Sequence, residues 1–139
     1  MNPAVPLPSQ ATILLVDDEI LSRTVLEYYL KRAGHYVLLA DSAATARAII
    51  GQLGSGAIHC VLTDYHMPGE SGLELLLWIR QTDPTLAVIM ITATTEREIV
   101  GTTLSVGASD FLDKPVTEAR LAVAMDSGLA ATARRRQLT

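Results

Sequence analysis

The sequence predicts an α/β fold in which a five-stranded parallel sheet is covered by five helices. Two observations lead to this prediction. Short apolar runs, of the kind that are buried on both faces of a parallel sheet, recur along the chain. Longer stretches with helical spacing lie between them, which is the alternation expected of right-handed crossovers on both sheet faces. With 139 residues, 49% of them hydrophobic, the chain is long enough for one domain with one core.

The predicted strands are five short apolar segments. The first consists of β-branched residues and leucine and is followed directly by Asp17 and Asp18. The last is the weakest, because it opens on an aspartate. The five predicted strands are Thr12–Val16, Tyr36–Ala40, Cys60–Thr63, Ala87–Ile91 and Asp110–Leu112.

The predicted helices show apolar residues at helical spacing. The first carries an apolar stripe of Leu21, Val25, Leu26, Tyr29 and Leu30, and we expect it to stop at Gly34. Capping-box spacing precedes the third and fourth helices, at Ser71–Glu74 and Thr95–Glu98. The remaining helices are predicted at Ala43–Leu53, at Leu73–Ile79 and from Glu118 to about Arg134.

The chain divides into a short arm, one domain and a basic tail. Residues 1–11 are uncharged and contain three prolines, which predicts a flexible arm. The domain spans 12–133. The tail, 134–139, opens with three arginines; we interpret them as a solvated helix end favoured by the helix dipole, and the tail is also a candidate start of a linker in a longer protein.

Composition argues against several functional classes. A net charge of -4 is unlike that of a generic nucleic-acid binder. The apolar runs are too short to span a membrane and the first ten residues do not form a signal peptide, so a cytoplasmic location is expected. Cys60 is the only cysteine, which excludes an internal disulfide and predicts a small buried hydrophobe rather than a zinc ligand.

Polar side chains follow the predicted strands. Asp17 and Asp18 follow the first strand, Asp64 the third, Thr92 the fourth, and Lys114 comes shortly after the fifth. Because the reactive edge of such a sheet is the carboxyl edge, these groups are expected to converge there. Carboxylates suit Mg²⁺, a hard ion that prefers oxygen ligands, and an aspartate beside it can act as a nucleophile toward phosphorus.

These residues together resemble the receiver domain of two-component response regulators. The resemblance covers roughly 12–133, and the five signals occur in the family's order. The residues that carry it are Asp17-Asp18, Thr63-Asp64-Tyr65-His66-Met67-Pro68 with Ser71-Gly72, Thr92-Ala93 and Lys114-Pro115. The resemblance implies a flavodoxin-like, doubly wound sheet in the order 2-1-3-4-5, with a cis bond before Pro115.

The resemblance also implies roles for individual residues. Asp64 would be the phosphoacceptor, and Asp17, Asp18, Asp64 and the backbone carbonyl of His66 would hold Mg²⁺. Lys114 would pair with the phosphoryl group. Thr92 and Phe111 would form a switch pair that links phosphorylation to the surface of the fourth helix, fifth strand and fifth helix.

Two features depart from the commonest family pattern. Phe111 stands where many relatives have tyrosine, so a switch that needs the ring hydroxyl is absent, whereas an inward rotation of the ring is still available. His66 and Thr94 occupy the two positions that tune the lifetime of the phosphoryl group in the family. The His66 side chain would either shield the acyl phosphate or help to position water.

The predicted function is a phosphorylation-operated signalling switch rather than an enzyme. Its partners would be a histidine kinase or a histidine phosphotransfer protein, an output domain or downstream protein, and a second copy of the chain as a further candidate. Nucleic acid and membrane contacts are not expected. Two alternatives stay open: an Mg²⁺-dependent phosphatase with an aspartyl nucleophile, disfavoured by His66 in place of a second acid, and a docking module that works without phosphorylation.

Overall fold

The computed structural model describes residues 10–93 and 97–138. Its strands are β1 (Thr12–Val16), β2 (Tyr36–Ala40), β3 (Cys60–Asp64), β4 (Ala87–Thr92) and β5 (Asp110–Asp113). Its helices are α1 (Ile20–Arg32), α2 (Ala43–Leu53), α3 (Gly72–Thr82), α4 (Arg97–Ser105) and α5 (Glu118–Leu138), and a 3₁₀ turn spans Ser55–Ala57. All five predicted strands and helices are confirmed.

The strands form one parallel sheet in the order β2-β1-β3-β4-β5, as the sequence implied. β3 and β4 are buried along their whole length, whereas the edge strands β2 and β5 are partly exposed. This difference follows from position, because a central strand is covered by helices on both faces.

The core has two parts, one on each face of the sheet. On one face, apolar side chains of β1, β3 and β4 pack against α2 and α3. On the other face, the alternate residues of the same strands pack against α1 and α5. Cys60 lies in this second part as a fully buried free thiol, and burial raises its pKa to about 12. Its predicted role as a buried hydrophobe is confirmed.

The apolar stripe of α1 is only partly buried. Leu26 and Leu30 lie in the core, but Leu21 and Val25 are 75% and 47% exposed. Both exposed residues belong to the half of α1 nearest the carboxyl edge of the sheet, where they line a cleft with Pro115. Burial in the core therefore explains only the C-terminal part of the stripe.

α5 is longer than predicted, since it continues past Arg134 to Leu138. The physical reason is Arg136, whose guanidinium donates hydrogen bonds to the Ser55 and Ile58 carbonyls at 3.0 and 2.9 Å. It also lies 3.5 Å from an Asp83 carboxylate oxygen. Arg136 is therefore not a solvated helix end: it anchors the last turn of α5 to the loops that precede β3 and β4.

Two histidines lie at the opposite edge of the sheet from the strand-end carboxylates. The Nδ1 atoms of His35 and His59 accept hydrogen bonds from the backbone N–H groups of Ala11 and Thr12, at 3.4 and 2.9 Å. Ala11, which the sequence assigns to the arm, is fully buried, and its carbonyl accepts a bond from Tyr36. Residues 1–9 of the predicted arm lie outside the described part of the chain.

The fourth helix begins at Arg97, so the first half of its predicted capping box, residues 95 and 96, falls in the segment 94–96, which the structure does not describe. The capping serine of α3 is confirmed, because Ser71 Oγ accepts from Glu74 N–H at 3.2 Å. Within the described ranges, none of the helices is both long and apolar enough to cross a membrane.

Candidate phosphoryl-transfer site

The strand ends bring the predicted residues to one edge of the sheet. In the register of the sheet, Val16 lies beside Thr63, Asp64 beside Ile91, and Thr92 beside Asp113. The strand order reverses between β1 and β3, where ligands bind in open sheets of this type. Residues that follow these strands are therefore held around one crevice.

Asp17, Asp18 and Asp64 form a compact acidic group. Each offers a carboxylate oxygen, and these oxygens lie within 4.8 Å of one another. Asp17 and Asp64 are buried, whereas Asp18 is exposed. Carboxylates so close together repel one another, and a positive charge between or beside them offsets this repulsion.

The chemistry of this group fits a hard divalent cation. One Asp17 oxygen accepts the Glu19 N–H at 2.9 Å, but the other, Oδ2, is buried without a hydrogen-bond partner in the described part of the chain. A buried carboxylate oxygen that lacks a donor is costly, and a cation with oxygen ligands would satisfy it. The residues present therefore fit Mg²⁺.

Lys114 supplies the positive charge of the site. Its ammonium donates to Asp64 Oδ2 at 2.8 Å and lies 3.6 Å from Asp17 Oδ2. Its backbone N–H donates to the Thr92 carbonyl, and the following bond to Pro115 is cis, as the resemblance implied. The backbone of β4 thus fixes the position from which Lys114 reaches the acids.

The two partners of this ion pair respond differently to burial. Burial raises the pKa of Asp64, and it outweighs the opposing effect of the Lys114 hydrogen bond and charge. At Lys114 burial acts to lower the pKa, but the bond to Asp64 and the nearby carboxylates outweigh it, so the net pKa is raised. The ammonium of Lys114 is therefore firmly charged, whereas burial disfavours the ionised form of the Asp64 carboxylate.

The loop between β3 and α3 passes directly beside Asp64. The backbone N–H of His66 hydrogen-bonds to the Asp64 carboxylate and stabilises its charged form. The His66 ring is exposed and meets Tyr65 edge to face, with 4.8 Å between the ring centroids. The first residue of α3, Gly72, donates its N–H to the Tyr65 carbonyl at 2.8 Å.

Gly72 lies beside the site, and the need for glycine at this position was not evident from the sequence. A Cβ atom built there would overlap the Asp64 carbonyl oxygen and would stand 2.9 Å from both Met90 Sδ and Tyr65 Cα. Only a residue without a side chain lets α3 start this close to the end of β3. The Ser71-Gly72 pair of the family resemblance was the one sequence signal that pointed to this glycine. The steric need for glycine there depends on how closely α3 packs against β3.

The remaining predicted site residues are Thr92, Phe111 and Thr94. Thr92 is fully buried at the end of β4, beside the strand end that carries Lys114. Phe111 is half-buried on β5 opposite Met90, and it packs against the α2 and α3 side of the core. Thr94 lies outside the described residues.

Comparisons with known proteins agree with this geometry. The family model "Response regulator receiver domain" matches residues 13–126. The chain is 33% identical over 105 residues to a cyclic di-GMP phosphodiesterase of Thermotoga maritima, a match that covers 76% of this chain and 27% of that protein. The chain spans 27% to 59% of the length of the curated relatives it matches.

Solved structures give the same result. A receiver domain protein of Clostridium thermocellum is 31% identical, with a TM-score of 0.83, and the match covers 93% of this chain and 99% of that one. A CheX–CheY–BeF3–Mg²⁺ complex from Borrelia burgdorferi is 26% identical, with a TM-score of 0.80 over 84% of this chain and 87% of that one. Taken with the strand order and the acidic group, these matches show that the chain belongs to the response regulator receiver domain family of two-component systems.

Proposed function

We propose that Asp64 accepts a phosphoryl group from a phosphohistidine. The observation that carries this proposal is the Asp64 carboxylate itself, buried at the end of β3, bonded to Lys114 and flanked by two further acids. An Asp64 oxygen attacks phosphorus, so that an O–P bond forms while the P–N bond of the donor breaks. The electron pair of that bond stays on the departing imidazole, and the product is an acyl phosphate.

Asp17, Asp18 and Asp64 are the side chains that would hold Mg²⁺, with the His66 carbonyl as a further ligand. The bound ion would neutralise charge on the phosphoryl oxygens during transfer. Asp17 is suited to this role because its Oδ2 is buried without a hydrogen-bond donor in the described chain. The His66 N–H, bonded to Asp64, helps to orient the nucleophile.

Lys114 and Thr92 would contact the phosphoryl group once it is in place. Lys114 already donates to Asp64, so a small movement of its ammonium brings it to a phosphoryl oxygen. The Thr92 hydroxyl would donate a hydrogen bond to another oxygen. With Phe111 on the neighbouring strand, Thr92 would then bias a two-state equilibrium of the α4–β5–α5 surface that output partners read.

The phosphodonor would approach over an apolar patch on α1. Ile20 and Leu21 are 66% and 75% exposed. A cleft of about 410 Å³ lies between this part of α1 and Pro115, and Lys114 lies in its wall. Exposed apolar residues beside a charged crevice are typical of a docking surface. A histidine kinase or a histidine phosphotransfer protein would dock here in the cytoplasm.

The proposal is tested by intact-mass analysis after incubation with acetyl phosphate and Mg²⁺. The wild-type protein should gain one phosphoryl group, and Asp64→Asn or a chelator should prevent it. Asp113→Asn is the matched control, because Asp113 is an exposed aspartate at another strand end of the same edge. It should be labelled normally.

An adduct that persists in Asp64→Asn would contradict the site assignment. If the wild type binds Mg²⁺ but gains no phosphoryl group, the docking module that works without phosphorylation becomes the better reading. Turnover of a simple phosphomonoester would instead favour the phosphatase.

A further inference from the structure

Arg47 of α2 reaches across to the loop that joins β3 to α3. Its Nη2 atom lies 2.7 Å from Glu70 Oε2, and the two side chains are 41% and 20% exposed. Among the described residues, this is the one ion pair that ties the β3–α3 loop to another element. Its short distance and partial burial set it apart from the more exposed pairs of α1.

Trp78 of α3 holds the other side of the same guanidinium. The Arg47 guanidinium carbon lies 5.9 Å from the Trp78 ring centroid, and Trp78 itself packs against the core beneath α2 and α3. A cation above an indole ring is attracted to its face, and the ring limits the freedom of the guanidinium. Arg47 is therefore fixed from two sides, by α3 and by the loop.

The loop that Arg47 holds carries part of the proposed metal site. His66, four residues before Glu70, gives its N–H to Asp64 and is the proposed source of a carbonyl ligand. At its far end the loop is fixed by the Gly72–Tyr65 hydrogen bond. Gly69, with φ +78°, makes the turn between these points, and Glu70 is the anchor that follows it.

We infer that Arg47 is a positioning residue, which through Glu70 and Trp78 holds the β3–α3 loop in the conformation that binds Mg²⁺. This inference rests on the proposed function, because it concerns the same metal site. A ligand that is already in place avoids the ordering cost of binding, so residues behind the ligands raise affinity for the ion. Arg47 is not one of the proposed ligands of the ion and acts only through the loop.

Charge alone makes a different prediction, which makes the inference testable. If Arg47 acted only as a nearby positive charge, its removal would strengthen Mg²⁺ binding, whereas loss of the negative Glu70 would weaken it. If Arg47 positions the loop, both changes weaken binding. The sign of the Arg47→Ala effect therefore separates the two accounts.

The experiment is an NMR titration with Mg²⁺ alone, following the backbone amides of Asp64 and His66. We expect Arg47→Ala and Glu70→Gln each to bind Mg²⁺ about fivefold more weakly than wild type, the scale available to a half-buried ion pair reinforced by a cation–π contact. The exchanged pair, Arg47→Glu with Glu70→Arg, restores the ion pair but not the contact of a cation with Trp78, so it should bind Mg²⁺ more tightly than Arg47→Ala and less tightly than wild type. Arg32→Ala, which removes an arginine from the Arg32–Glu118 pair between α1 and α5, is the matched control and should bind normally.

A further readout comes from Trp78, the only tryptophan of the chain. Its fluorescence should respond to Mg²⁺ in the wild type, and this response should shrink in Arg47→Ala. Unchanged or stronger Mg²⁺ binding in Arg47→Ala, or an exchanged pair that binds no better than Arg47→Ala, would overturn the inference. In either case, Mg²⁺-dependent labelling of wild-type Asp64 would leave the proposed function standing, whereas its failure would count against the proposed function.

Discussion

Replacing Gly72 by alanine tests the close approach of α3 to the end of β3. The added Cβ would overlap the Asp64 carbonyl oxygen and would crowd Met90 Sδ and Tyr65 Cα, each at 2.9 Å. The end of the Met90 side chain can move aside at small cost. The other two atoms belong to the backbone of β3 and its loop, so α3 or the loop has to shift.

The expected cost follows from this geometry. Overpacking against an unyielding backbone costs roughly 1–3 kcal/mol. A shifted α3 also weakens the Gly72–Tyr65 hydrogen bond, which is worth about 1 kcal/mol. Alanine is the better helix former by up to about 1 kcal/mol, although less at a first helical position. We therefore expect Gly72→Ala to lower the free energy of unfolding by about 2 kcal/mol.

The assay is urea denaturation, with two other glycines as references. Gly51 lies in α2 with nothing within 4 Å of an added Cβ, so Gly51→Ala should raise the free energy of unfolding by about 0.5–1 kcal/mol. Gly128 of α5 is intermediate, since its Cβ would stand 3.0 Å from two side chains that can adjust, Cys60 and Ile89. The reasoning fails if Gly72→Ala is as stable as wild type, or if the order of the three variants is different.

Three further predictions concern charge. In metal-free buffer at pH 7, Asp64→Asn should be more stable than wild type, because burial raises the pKa of Asp64 and so disfavours its ionised form. Urea denaturation measures the difference in unfolding free energy, and a variant no more stable than wild type would contradict the prediction. Burial lowers the pKa of His35 and of His59 below the unfolded value of about 6.5, so their contribution to folding stability is fully present above that pH and is lost as pH falls through the folded pKa values. Thermal melts from pH 7 to 5 should show this loss of stability, and changing both histidines to asparagine should reduce it. Arg136→Ala should lower the free energy of unfolding by about 2–3 kcal/mol, because the hydrogen bonds of Arg136 to the Ser55 and Ile58 carbonyls are lost. Arg134 is exposed, so Arg134→Ala should change this free energy by less than about 0.5 kcal/mol, and similar losses in both variants would contradict the anchoring role of Arg136.

The order of elements and the edge at which the site lies follow from the sequence alone. Strand and helix periodicities are local properties, so runs such as Thr12–Val16 and the stop at Gly34 were predicted with nearly correct bounds. The carboxyl ends of parallel strands share one edge, so Asp17, Asp64 and Lys114 were predicted to meet before any distance was known.

Contacts between residues far apart in the chain depend on how the elements pack and could not be predicted from local patterns. The Arg47–Glu70–Trp78 contact and the anchor of Arg136 on the Ser55 carbonyl join elements whose sequences carry no sign of one another. The need for glycine at position 72 has the same origin, since it arises from backbone atoms of another element. Local patterns specify which face of an element is buried, but which side chains then touch depends on how closely the elements pack.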